Sequence, residues 1–357
     1  MGKLFGALLL LLAVGLAGAW FYGQHLYTET GPKTADGGAR IVIVAKGANV
    51  QSATAALSKA GAINDELQFR TVVRVLDILP GVERLNLKAG EYAVPSGATM
   101  KEIIALLSSG KSLQYNVVIP EGLASAMITR LLAETEWGMT KETTNNSGLT
   151  YKLAGDAPQT PAEGVLLPGD YAVQRGDTIE SVVTRSIKRQ QDLMAEAWPK
   201  RQDGLPFKTQ EEAINLASIV EKETGNASER PEVAAVFVNR MRRGMRLESD
   251  PTIIYGISKG EPLGRIIRTS ERARKTDWNT YQIDGLPKTP ICNPGAEAIR
   301  AVLNPPVSKA LYFVADGTGG HVFAGTYAEH QKNVAIYWKV RAANEKAGVN
   351  TPAVRPQ

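Results

Sequence analysis

A membrane-anchored α+β protein is the fold class that this sequence predicts. Three observations predict it. The N-terminus carries an uncharged apolar run, a strand–turn–capped-helix unit recurs three times, and the second half contains a long amphipathic helical pattern. With 357 residues, the chain is long enough for two or more modest domains, each around its own core. A composition of 43% hydrophobic and 22% charged residues excludes a disordered or fibrous chain. The net charge of +5 suits an anionic partner: a membrane surface, nucleic acid or a carboxylate-bearing polymer.

Leu4 to Tyr22 reads LFGALLLLLAVGLAGAWFY, without a charge. Roughly 20 apolar residues span a bilayer. Lys3 and the amino terminus precede the run and Glu29 follows it, which places the N-terminus in the cytoplasm and the remainder outside. A cleaved leader is the rival, because Ala17-Gly18-Ala19 has the form of a cleavage site. The run continues through Trp20, Phe21 and Tyr22, aromatic residues suited to a membrane interface, so residues 1–22 are read as a retained anchor. Residues 23–40, polar and Gly-rich, are read as a linker.

The recurring unit comes next. It reads VAKGANVQSATAAL from Val44, VPSGATMKEIIALL from Val94 and VQRGDTIESVVTRSI from Val173. Gly47, Gly97 and Gly176 allow a turn with positive φ. Asn49, Thr99 and Thr178 then stand where a helix N-cap is wanted. Ile41 to Val94 offers a complete βααβ unit. Its strands are IVIVA and GEYAV, and its helices lie in VQSATAALSKAG and ELQFRTVVRVLD. The unit resembles a LysM module, a small glycan-binding fold, although strand–turn–capped helix is also common grammar. Residues 138–162 are polar and predict a loop or insertion, and the C-terminal 341–357 predict a disordered tail.

Several chemistries find no support. Cys292 is the only cysteine, so no internal disulfide can form, and it reads as a small buried hydrophobe. The three histidines, His25, His321 and His330, make no zinc motif. There is no G-x-S-x-G and no phosphate-binding loop.

The most informative helix runs up to IVEKETG, Ile219 to Gly225. Thr209 and Glu212 form a capping box at its start, and Gly225 suits its stop. Glu211, Asn215, Ser218 and Lys222 share a polar face, with Ala213, Ile214, Leu216, Ala217 and Val220 opposite. Glu221 sits beside the apolar positions. Glu223 lies about 200° further round, so the two cannot converge as a dyad. Both lie at the helix C-terminus, where backbone carbonyls and partial burial raise a carboxyl pKa toward that of a general acid. A structural ion pair with a nearby arginine is the competing reading.

LASIVEKETG, VFVNRM, LESDPTIIYG, WNTYQIDGLPKTPICNPG and LYFVADGTGGHVF occur in this order. The series resembles the YceG-like family of endolytic murein transglycosylases, over roughly Ile41 to Trp338 plus the anchor. Departures are mild: the aromatic-rich FLFPDTY reads VLLPGDY at 165–171, and YNTY reads WNTY at 278–281.

The resemblance implies a LysM-like subdomain over 41–112 and a mixed α/β lytic transglycosylase domain over 113–340. It implies a lyase that cleaves MurNAc–GlcNAc β-1,4 bonds within nascent strands, leaves 1,6-anhydroMurNAc ends and limits strand elongation. Glu221, the first glutamate of VEKE, is the catalytic residue it implies. One carboxyl group suffices because the muramic C6 hydroxyl attacks within its own sugar, with a large effective-molarity advantage. The implied setting is a single-pass inner-membrane protein with its C-terminal domain in the periplasm, partnered by peptidoglycan strands and peptidoglycan synthases. No cofactor, no metal and no nucleic acid are expected.

The supporting candidates are Glu223, Arg240, Asp250, Asn279, Tyr281 and His321. Asp250 can steady positive charge or cap a helix. Asn279 and Tyr281 suit sugar hydroxyls and acetamido groups, or loop backbone. His321 lines the site or is structural, and Arg240 belongs to a solvated face or to a carboxylate. The alternative class is a non-catalytic, membrane-anchored peptidoglycan-binding scaffold. A basic nucleic-acid binder using NRMRRGMR is disfavoured by the anchor.

Overall fold

A computed structural model describes residues 2–79, 84–138, 150–151, 153 and 159–346. In chain order its elements are α1 (Gly2–Thr28), β1 (Arg40–Val44), α2 (Val50–Lys59), α3 (Glu66–Ile78), β2 (Gly90–Val94), α4 (Met100–Ser109), β3 (Tyr115–Ile119) and α5 (Ser125–Glu134). Then come β4 (Trp137–Gly138), β5 (Thr150–Tyr151), β6 (Gly169–Val173), α6 (Ile179–Ala197), a 3-10 turn (Trp198–Lys200), α7 (Gln210–Glu223) and α8 (Arg230–Arg242). The chain closes with α9 (Asp250–Ser258), α10 (Thr269–Ala273), α11 (Ala296–Leu303), β7 (Tyr312–Ala315), β8 (His321–Ala324) and α12 (Tyr327–Lys346). Strands pair two by two, β1 with β2, β3 with β6, β4 with β5 and β7 with β8, in a mixed α+β arrangement.

The chain forms two compact units: residues 1–117, 136–154 and 172–178, and residues 118–135, 155–171 and 179–357. The division is not contiguous. The chain passes between the units several times.

In the first unit, the order β1–α2–α3–β2 is the βααβ order read from the sequence. The strands are antiparallel, with Arg40 opposite Val94 and Val44 opposite Gly90. Val42, Leu57, Phe69, Val73, Tyr92 and Ile103 fill its core. The turn grammar holds. Gly47 has φ 78 and Gly97 φ 76. Asn49 and Thr99 accept the backbone N–H of Ser52 and Glu102, satisfying donors that a helix start leaves unpaired. Gly176, at φ 93, precedes α6 in the same way.

Helix α1 continues six residues past Tyr22, into the stretch read as linker, and its Leu26 and Tyr27 pack on this core. The remaining linker is tied down as well. Gly31 N–H donates to Gly97 O, and Gly97 N–H to Pro32 O. A Cβ on Gly31 would stand 2.3 Å from the Ala98 carbonyl oxygen, so glycine is required there. Among the described residues, Phe5–Thr28 is the helix long and apolar enough to cross a membrane, with a mean hydropathy of 2.0.

The second unit has its own core around α7, α8 and α11, including Leu216, Val220, Val236, Phe237, Ile299 and Val302. α7 begins with the expected capping box: Glu212 N–H donates to Thr209 Oγ1, and Thr209 N–H to Glu212 Oε2. Its polar face is exposed at Glu211 and Lys222 but covered between them. Asn215 donates to Pro287 O, and Ser218 Oγ accepts from Ile291 N, so the GLPKTPICNPG segment covers that face. Cys292 is buried in that seam, its thiol facing Ser218 O, and burial pushes its pKa well up. The predicted tail is helical as far as Lys346, because α12 carries the chain through 341–346. The remaining tail residues and most of 138–162 lie outside the described residues.

Candidate active site

The two glutamates of VEKE occupy different environments within the second unit. Glu221 Oε2 accepts the backbone N–H of Gly295 at 3.0 Å, and Oε1 lies 3.4 Å from Arg230 Nη2. Gly295 is the N-cap of α11, so the Glu221 carboxylate takes the N–H of the cap residue itself, at the positive end of that helix. Glu121 also reaches Arg230, at 3.5 Å, and Lys222 Nζ donates to Gly122 O. Only 6% of the Glu221 side chain is exposed. Burial raises its pKa, the direction read from the sequence, while the Gly295 N–H and Arg230 pull the other way.

Glu223 is half-buried on another side of the helix and belongs to a second network. Ser249 Oγ donates to Glu223 Oε1 at 2.5 Å. Ser249 is the N-cap of α9, and Asp250 follows it in the first turn. Asp250 Oδ1 accepts from Tyr281 Oη at 2.8 Å and from Arg272 Nη2 at 3.1 Å. Burial, and then the Asp250 charge, raises the Tyr281 phenol, so Tyr281 is a firm donor. Glu223 also acts electrostatically on both Tyr281 and Arg240.

The other candidates divide by task. Asn279 is 1% exposed. It donates to the carbonyls of Glu271, Arg272 and Arg274 and accepts from Tyr281 N–H, so it is committed to holding backbone and positions Tyr281. Arg240 is not on a solvated face. Its guanidinium is buried against Leu311 O, Leu247 O and Glu248, and burial lowers its pKa. His321 Nδ1 stands 2.7 Å from Glu229 Oε2, and its backbone N–H donates to the other oxygen of that carboxylate. The structure therefore gathers Glu223, Asp250, Tyr281, Asn279 and Arg240, while Glu221 and His321 each keep separate partners.

Two residues of the site escaped the sequence reading. Asn293 accepts from the backbone N–H of Gly164 and Leu166 and donates to Leu123 O, stitching three distant segments together. Glu163 accepts Ser125 N–H at 3.0 Å, in place of a side-chain cap that Ala124 cannot give to α5. Burial pushes its pKa to about 7. Nothing local in AEGVLL marks these partners, since they lie 38 residues away for Glu163 and 129 for Asn293.

A model of the YceG-like family matches residues 42–336. The endolytic murein transglycosylase of Bacillus subtilis (strain 168) is 26% identical over 348 residues, covering 93% of this chain and 92% of that protein. The endolytic murein transglycosylase of Streptococcus pneumoniae serotype 2 (strain D39) is 26% identical over 363 residues, covering 92% of this chain and 64% of that longer protein. A YceG-like protein of Listeria monocytogenes, with a crystal structure at 2.6 Å, is 24% identical over 82% of this chain and 98% of its own, with a TM-score of 0.47.

Proposed function

The chain belongs to the YceG-like family, and on that premise we propose that it is an endolytic peptidoglycan transglycosylase. It is a lyase that opens MurNAc–GlcNAc β-1,4 bonds inside glycan strands and leaves 1,6-anhydroMurNAc ends. The family match, which spans every carboxylate of the candidate site, is the observation that carries this reading. Two relatives that bear the name endolytic murein transglycosylase over more than nine-tenths of this chain support it.

The reaction needs one group that gives and then retrieves a proton. A carboxylic acid protonates the glycosidic oxygen as its bond to the muramic C1 breaks. Positive charge develops on C1 and the ring oxygen. The C6 hydroxyl of the same sugar closes on C1, and the carboxylate takes the hydroxyl proton, returning to its starting state. No water is consumed, so the second carboxylate of a hydrolase is unnecessary.

Glu223 is our choice for that group, two residues beyond the one that the resemblance implies. Its side chain is half-buried, and its carboxylate accepts from the Ser249 hydroxyl. Beside it, Asp250 stands oriented by Tyr281 and Arg272, ready to face developing positive charge. Glu221 is a second reading because burial raises its pKa. Its oxygens, however, are occupied by Gly295 and Arg230 in a nearly closed position.

The β1–α2–α3–β2 segment is read as a LysM-like module that assists glycan binding. Lys3 before the apolar helix supports an inner-membrane anchor with the rest of the chain in the periplasm, beside peptidoglycan synthases. The test is mass analysis of the products formed from purified strands. Anhydro ends are expected. Reducing ends would make the protein a hydrolase, and absence of cleavage would make it a binding scaffold.

A further inference from the structure

Helix α12 presents one face at positions 327, 330, 331, 334, 335 and 338, and this face forms a wall of a groove of about 690 Å³. That lies within the roughly 300–1,000 Å³ of ordinary ligand sites. The opposite wall carries Tyr312 of β7, together with Arg240, Glu248 and Tyr281. Tyr312 is held in place, with the His330 ring stacked at 5.2 Å and the Arg240 guanidinium 5.3 Å from its centroid. Tyr327 and Trp338 are instead 59% and 46% exposed. Both rings have neighbours, Tyr312 and His330 beside Tyr327, and Tyr337 and Arg341 beside Trp338. Large rings this exposed in a groove, with Glu248 and Gln331 at hand, are still unusual for a surface that meets only water.

We propose that this groove is a glycan subsite that holds pyranose rings of the strand away from the bond being cleaved. The axial C–H bonds of a pyranose are slightly positive and fit the negative face of an aromatic ring. The equatorial hydroxyl and acetamido groups meet Glu248 and Gln331 at the ring edges. The proposal rests on the transglycosylase reading for its substrate class. Continuity with the site supports this occupant, since Tyr281 and Arg240 line the groove and both feel the Glu223 charge. A strand seated here extends beyond its reacting sugars, so the enzyme favours long strands, as an endolytic cutter must.

The experiment uses full-length protein, wild type beside Trp338→Ala and Tyr327→Ala. Binding of chitohexaose, a β-1,4 chain without a MurNAc–GlcNAc bond, is measured by calorimetry. Cleavage is measured on long peptide-free strands and on a muropeptide-derived tetrasaccharide. Each variant is expected to bind chitohexaose about tenfold more weakly, and to lose kcat/KM on long strands about tenfold more than on the tetrasaccharide. Wild-type affinity in both variants, equal losses on both substrates, or no binding by the wild type would overturn the proposal. Binding that weakens as expected, in a protein that cleaves neither substrate, leaves the subsite standing and removes the transglycosylase reading instead.

Discussion

Ser249 Oγ donates to Glu223 Oε1 across 2.5 Å, joining the end of α7 to the start of α9. The hydroxyl helps to fix the rotamer of the glutamate. Glu221 belongs to a different network, with a backbone donor and a guanidinium in a nearly closed position. The two positions are thus separable by mutation. Glu223→Gln keeps the shape but removes the transferable proton, and turnover is expected to fall by about 10²–10⁴-fold. Ser249→Ala, which loosens the carboxyl, should cost about tenfold in kcat by the same proton-transfer argument. Glu221→Gln should keep most turnover and lower stability by about 1–3 kcal/mol, because buried Arg230 loses a charged partner. Anhydro-product release and thermal unfolding measure both. A dead Glu221→Gln that folds, beside an active Glu223→Gln, would return the role to Glu221.

The 287–295 segment lies against α7, and Gly164 lies against that segment. At φ 82, a Cβ on Gly164 would stand 2.8 Å from both Ile214 and Pro290. Gly164→Ala is therefore expected to lower stability by about 1–3 kcal/mol, through strain and overpacking together. Denaturant unfolding checks this, and an unchanged midpoint would contradict it.

The capping box of α7, the βααβ order and the three glycine turns were legible because each is set by residues three or four apart. The polar face of α7 was misread for the converse reason. Asn215 and Ser218 look solvated in a helical projection, yet partners more than 70 residues away bury them. Asp250 and Tyr281 were legible as residue types, but not their bond to each other across 31 residues. Glu163 and Asn293 were invisible, since each acts on backbone of a distant segment, which leaves no trace in local pattern.

In the first unit, Glu91 is completely buried and accepts from Tyr115 Oη at 2.8 Å and from Arg175 Nε at 3.0 Å. Removing Glu91 takes a charged acceptor from the Tyr115 phenol and from the partly exposed Arg175 guanidinium, a loss of about 1–3 kcal/mol. Glu91→Ala is expected to show that loss in the unfolding transition of this unit. Glu91→Gln, which keeps an acceptor for Tyr115, should lose less. Equal losses would mean that the missing carboxylate charge, common to both variants, dominates over the cavity that only Glu91→Ala makes.

Glu163 sets the pH dependence of stability. Its folded pKa of about 7 lies above the ordinary 4.5, chiefly through burial. The folded protein thus holds a proton there that the unfolded chain releases between those values. The protonated form favours folding below about pH 4.5, and the advantage is lost as pH rises through about 7. Glu221, also raised by burial, acts in the same direction. Wild-type stability should therefore fall between about pH 4.5 and 7, by up to about 3 kcal/mol for Glu163 from a shift of about 2.5 units. Glu163→Gln keeps an acceptor for the Ser125 N–H and cannot ionise, so its stability should vary less with pH. It should match the wild type near pH 5 and exceed it near pH 8. Urea unfolding at both pH values measures the difference. A variant that is less stable than the wild type at pH 8 would show that Glu163 is held ionised by Ser125, and that burial does not govern its proton.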